Sequence, residues 1–210
     1  MKVMRRFFCP KRSAVITCAV ALVLLHSMNT PVRAGTAQAA PPKTSGLYLT
    51  ADDYKNGRLS FAGDCGSKAH KVDLHHYFDK PYIDVTHGTE KHRYAKSDLF
   101  GYRACDGRDY RFALKLEFQI LESKELYIYA HDVRVSQGRG SRSVREYFFS
   151  VGPDGPVLAL TLENLKQAFP DNHKFHDSLD AKFGAGQTLA EYDEVHKMFE
   201  VNRLLIASLE

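Results

Sequence analysis

The sequence predicts an α+β fold: an antiparallel β meander, as a curled sheet or a partly open barrel, followed by two to three C-terminal helices. Three observations lead there. Between residues 58 and 151, short runs of alternating apolar and polar residues are separated by tight-turn signals. After Thr161 the pattern changes to helical spacing with caps and stops. The chain beyond its N-terminal export segment, about 175 residues, suffices for one core and is short for two domains.

Residues 1–34 read as a cleavable secretory signal peptide. Lys2, Arg5, Arg6, Lys11 and Arg12 precede an uncharged run from Ala14 to Leu25, and Val32-Arg33-Ala34 offers small residues before Gly35. Ala37-Gln38-Ala39 is a second cleavage signal. The apolar run is shorter than the roughly 20 residues a spanning helix needs. Cys18 lies inside it, which argues against lipidation. The expected localisation is periplasmic or extracellular, with no transmembrane segment in the mature chain. Residues 35–45 read as a flexible leader and residues 46–210 as a single α+β domain.

Six of the 29 Lys and Arg residues, and no Asp or Glu, fall in 1–34, leaving 23 basic against 25 acidic residues. The formal charge of +4 on the whole chain becomes about −2 on the mature one. That balance lacks the basic footprint of phosphate-backbone binding, so no nucleic-acid partner is expected. Processing also removes Cys9 and Cys18, and the remaining pair, Cys65 and Cys105, is expected to form a disulfide in an oxidising compartment. Two separate buried thiols are the alternative.

The elements follow in order. Thr50 caps a short helix with Asp52 and Asp53 in its first turn and Gly57 ending it. Candidate strands are 58–62, 70–75, 82–87, 92–95, 99–103, 110–114, 116–121, 126–130 and 145–151. Asp106-Gly107, Gly88-Thr89 and Glu122-Ser123-Lys124 mark hairpin connections. Thr161 then caps a helix ended by Pro170, Asp171 caps a second running to Phe183, and Thr188–Glu191 forms a capping box for a third. On that third helix Tyr192, Val195, Phe199 and Ile206 form an apolar stripe.

Several groups carry potential chemistry. His173, His176, Asp177 and Asp180 share one helix face at a spacing that suits a divalent metal or an ordinary solvated face. His70, His75, His76, His87 and His92 are spread over adjacent strands, where neighbours in sequence point apart. Asp106, Asp109, Arg103, Arg108 and Arg111 cluster at a hairpin beside Cys105, as a carboxylate dyad for acid–base work or as surface ion pairs. The Gly-rich stretch 136–143, with Arg134, Arg139, Arg142 and Arg145, reads as a mobile hairpin tip or as a loop that captures an anionic or acidic partner. It lacks the Lys-Ser/Thr of a phosphate-binding loop. Tyr127, Tyr129, Tyr147, Phe148 and Phe149 offer aromatic surface for a small ligand or for packing. No Gly-x-Ser-x-Gly, His-Glu-x-x-His or calcium-loop motif occurs.

In the stretches Gly101–Phe112 (GYRACDGRDYRF) and Leu162–His176 (LENLKQAFPDNHKFH) the chain resembles small exported bacterial proteins with no assigned activity, a likeness that extends from about Gly46 onward. The resemblance implies an envelope protein and brings no catalytic residues. The expectation is an exported, non-enzymatic binding or accessory protein without a cofactor, whose partner is a protein, an anion or a small molecule. The alternative is a metal-dependent or acid–base hydrolase of the envelope.

Overall fold

The structure, a computed structural model, describes residues 43–75, 80–138, 140–184 and 186–210. The expected signal peptide with Cys9 and Cys18, most of the expected leader, His76 and Arg139 lie outside the described residues. The expected α+β class is overturned: the protein is mostly β, with 44% strand and 22% helix, built on one large open antiparallel sheet that does not close into a barrel.

Alternation of apolar and polar side chains builds that sheet. Its strands are β1 (Thr44–Tyr48), β2 (Ser60–Asp64), β6 (Gly101–Arg103), β7 (Asp109–Ala113), β8 (Leu116–Ser123), β9 (Leu126–Gln137), β10 (Gly140–Val151) and β11 (Leu158–Ala159). They lie in the order β11-β10-β9-β8-β7-β6-β1-β2. A separate three-stranded sheet, β3 (His70–Asp73), β4 (Tyr82–His87) and β5 (Glu90–Ala95), sits in the connection between β2 and β6. The turns expected at Gly88-Thr89 and Asp106-Gly107 join β4 to β5 and β6 to β7.

The helices are short. Thr50 caps α1 (Ala51–Lys55) through a reciprocal capping box with Asp53. Thr161 caps α2 (Leu162–Ala168). The cap of α3 (His173–Phe183) is Asn172 rather than the expected Asp171: the Asn172 side chain accepts from the Phe175 amide. The expected third helix from Thr188 does not form. The chain there makes a small hairpin, β12 (Tyr192–Asp193) and β13 (Met198–Phe199), and α4 begins only at Glu200 and runs to Leu209. Asp193 explains the difference, because its carboxylate accepts from the Val195 and His196 amides and turns the chain back. Val195, expected on a buried stripe, is 85% exposed. This loss of helix, with β1 and the added lengths of β9 and β10, shifts the balance to β.

Strand register defines two faces. Leu47, Tyr102, Tyr110, Gln119, Ala130 and Tyr147 lie directly opposite one another across six strands, so they share a face. At one end of that face α2, α3 and α4 cover Leu126, Ile128 and Phe149 with Leu165, Phe175, Leu179, Phe183 and Leu205. At the other end the small sheet covers Leu47, Tyr102 and Phe112 with Ile83 and Val85. Buried Asn202 fastens α4: its side-chain amide pairs with both the amide and the carbonyl of Leu126 at 2.8 and 2.9 Å, replacing a strand neighbour.

The opposite face packs Tyr48, Tyr54, Phe100, Phe118, Tyr127, Tyr129 and Val157 against α1 and the loop after β10. Arg111 is buried there. Its guanidinium donates to Tyr129 Oη, Ser150 Oγ and the Gly155 carbonyl and stacks over Phe100 and Tyr129. The expected Cys65–Cys105 disulfide is present, with a Cα–Cα distance of 5.7 Å. Among the described residues no helix is long and apolar enough to cross a membrane.

Candidate functional site

Between the patches covered by the small sheet and by the helices, the shared face stays open as a cleft of about 890 Å³. Its floor is aromatic. Tyr102 and Tyr110 stack with ring centroids 4.9 Å apart and planes 6° apart. Tyr102 is buried and Tyr110 half-buried, so the pair presents its outer member to the cleft.

The floor is held by a buried ion pair. Lys96, in the turn that leads from β5 to β6, is 5% exposed and donates to Glu117 Oε1 at 2.9 Å. The Tyr102 hydroxyl donates to Glu117 Oε2 at 3.1 Å. Burial, then the neighbouring Glu117 carboxylate, push the Tyr102 hydroxyl far above the ordinary tyrosine range, so it stays a donor.

The rim is cationic. Arg108, Lys115, Arg134 and Arg145 line it with Lys96, against the two carboxylates of Glu117 and Asp132. Glu117 faces Lys96, and Asp132 accepts both arms of Arg145 at 2.9 and 3.2 Å. The Arg145 guanidinium holds the Asp132 carboxyl below its usual range. Both acids are therefore matched by partners in the cleft, Arg108 has Asp106 beside it at 3.5 Å, and Lys115 and Arg134 supply the excess positive charge.

The arginines singled out by sequence divide. The stretch 136–143 is not a loop, because β9 runs on to Gln137 and β10 starts at Gly140, and these two residues are paired. Alternation puts Arg134 and Arg145 on the cleft face and Arg142, opposite Val135, on the other. The structure thus brings Arg134 and Arg145 together, leaves Arg142 apart, and does not describe Arg139.

The other candidates are dispersed. His176 Nε2 lies 2.9 Å from the Phe169 carbonyl and Asp180 accepts from Lys166 at 2.6 Å, so these two members of the helical His/Asp face have partners of their own. Among the described residues no group of three or more His, Cys, Asp or Glu side chains is placed to hold a metal ion. His70 is buried with Nε2 2.7 Å from Ser45 Oγ and no partner for Nδ1. Burial, then His87, lower its pKa from 6.5. His75 meets Asp84 and His92 meets Glu90. At the hairpin, Arg103 pairs with Asp109 and Arg108 with Asp106, whereas Arg111 faces the opposite side of the sheet. Tyr127 and Tyr129 pack inside rather than on the open face. Tyr147 and Phe148 border a smaller groove with Leu160 and Leu189.

Sequence reasoning missed Lys96, Tyr102, Tyr110, Lys115 and Glu117 as a group. One signal was available, because a hairpin turning at Asp106-Gly107 sets Tyr102 opposite Tyr110. No family model, no curated protein and no solved structure matches the chain.

Proposed function

We propose that this is an exported, periplasmic or extracellular, non-enzymatic binding protein that holds an anionic ligand in the cleft on the main sheet. The observation that carries the reading is the unequal charge of the lining, five cations to two carboxylates, each carboxylate already matched by a cleft cation. Lys115 and Arg134 then offer charge-assisted hydrogen bonds to an incoming carboxylate, sulfate or phosphate. The stacked tyrosines provide a flat apolar floor for a ring. The lining follows β9 from Ala130 to Arg134, a rise of about 14 Å, which suits a ligand larger than a single oxyanion.

The pairing of Glu117 with Lys96 and of Asp132 with Arg145 favours binding over acid–base hydrolysis, which needs two carboxyls at set distances from the scissile bond. The test is calorimetric titration of the protein with an oligo-uronate at low and moderate salt. Wild type is expected to bind, and more weakly as salt rises. Lys115→Glu with Arg134→Glu is expected to weaken binding at least about tenfold. Equal binding by wild type and the double variant at both salt concentrations defeats the reading.

A further inference from the structure

The end of the main sheet beside the cleft carries an exposed leucine that an anion in the cleft does not use. β7 and β8 are joined there by Leu114 and Lys115 alone, with φ of +51° and +66°. This is the two-residue hairpin geometry normally given to Asn-Gly, since a left-handed backbone crowds the Cβ of other residues. Leucine is a poor choice for that backbone. It is also 71% exposed, so the strain is not offset by packing of its side chain. Leu116, the next residue, is 37% exposed.

The neighbouring β9–β10 ribbon turns at the same end of the sheet. Continuing the β8–β9 register from Gln119 opposite Ala130 sets Lys115 level with Arg134. Arg142 is one residue further along the ribbon, opposite Val135. From Val133 to Val144 the chain contains no Asp or Glu. An aliphatic tip is thereby flanked by Lys115, Arg134 and Arg142.

We propose that this end of the sheet, with Leu114 exposed on the β7–β8 turn and Lys115, Arg134 and Arg142 around it, docks the protein on an anionic lipid bilayer. Leucine in the acyl boundary and cations at the phosphate level is the arrangement that peripheral membrane segments use. A soluble polyanion has no use for an exposed leucine. The comparison within the molecule is Val195, which is also at a hairpin tip but stands between Asp193, Glu194 and His196; acidic flanks of that kind are repelled by an anionic surface.

The experiment is co-sedimentation of the protein with vesicles of mixed phosphatidylglycerol and phosphatidylcholine, or of phosphatidylcholine alone. Wild type is expected on the mixed vesicles, with binding that falls as salt rises. Leu114→Asn separates docking from folding, because asparagine tolerates the left-handed backbone better than leucine. Its thermal midpoint is expected to hold or rise while vesicle partitioning falls about tenfold. Arg142→Glu, on the face away from the cleft, is expected to reduce partitioning at least about fivefold. Both variants are expected to keep oligo-uronate binding. Wild type that binds oligo-uronate but not the mixed vesicles removes this proposal alone, and wild type that binds the vesicles but not oligo-uronate removes the cleft reading alone. Undiminished partitioning of Leu114→Asn, or no preference for mixed vesicles, overturns it.

Discussion

Replacing Glu117 by Gln probes the support of the cleft floor. The Lys96 ammonium is 2.9 Å from Glu117 Oε1 and Lys96 is 5% exposed. At that separation, an effective dielectric of about 20 gives an attraction of about 6 kcal/mol, most of which offsets the cost of taking both charges out of water. Removing only the carboxylate leaves that cost on Lys96. Breaking a buried pair from one side typically costs about 3–5 kcal/mol. Glutamine keeps its one carbonyl oxygen as acceptor for Lys96, and its NH2 can donate to the Tyr102 hydroxyl in place of the bond that Tyr102 gave to Oε2, so the lower figure applies, about 3 kcal/mol. With a urea slope of about 2–3 kcal/mol/M, the midpoint falls by about 1–1.5 M. Adding Lys96→Met removes the stranded charge, and the double variant is expected to recover more than half of the loss. Unfolding followed by tyrosine fluorescence suits a chain with 11 tyrosines and no tryptophan. A double variant no more stable than Glu117→Gln alone refutes the reasoning, because the cost then does not come from a buried, uncompensated ammonium.

Arg111→Met removes three hydrogen bonds to Tyr129, Ser150 and Gly155 and is expected to cost about 2–4 kcal/mol in chemical denaturation, with faster amide exchange in residues 152–157. His70 is buried with its folded pKa below the unfolded 6.5, so the folded state prefers it neutral. The sign follows: its contribution is complete above pH 6.5, is lost as pH falls below it, and stops changing below the depressed folded value. Thermal midpoints of wild type and His70→Gln should therefore diverge between pH 7.5 and the mildly acidic range, with wild type losing more on acidification. Serine at both Cys65 and Cys105 opens a 40-residue loop and is expected to cost about 4 kcal/mol in the loop-entropy account, read from the urea midpoint.

Local signals in the sequence found most strands because their inward residues alternate: Ile83 and Val85 of β4 point the same way and are both buried. They missed β1, whose first residues, Thr44, Ser45 and Gly46, look like a loop. Gly46 is there because a Cβ would stand 3.0 Å from the Ser60 carbonyl, a contact visible only once β2 is in place. The apparent third helix arose because Tyr192, Val195 and Phe199 happen to have helical spacing, while the turn set by Asp193 outweighs it. Glycines and serines at 136–143 were read as a loop although they are paired strand residues. The cleft was the least legible part. Lys96, Tyr102, Glu117 and Arg134 converge only through the register of four strands, which no local pattern encodes.

The disulfide has a consequence for how the chain reaches this fold. β1 separates β2 from β6, yet Cys65 and Cys105, just past the ends of those two strands, bring their Cα atoms to 5.7 Å. That is the spacing of direct neighbours, about half the distance between strands with a third between them. The bond closes around the start of β1, where the Cys65 amide donates to the Lys43 carbonyl. A chain oxidised before β1 has inserted is thus biased toward pairing β2 with β6 directly. The order of events therefore matters: once the bond is closed, β1 has to enter beside a linkage that already holds the ends of β2 and β6 at neighbour spacing.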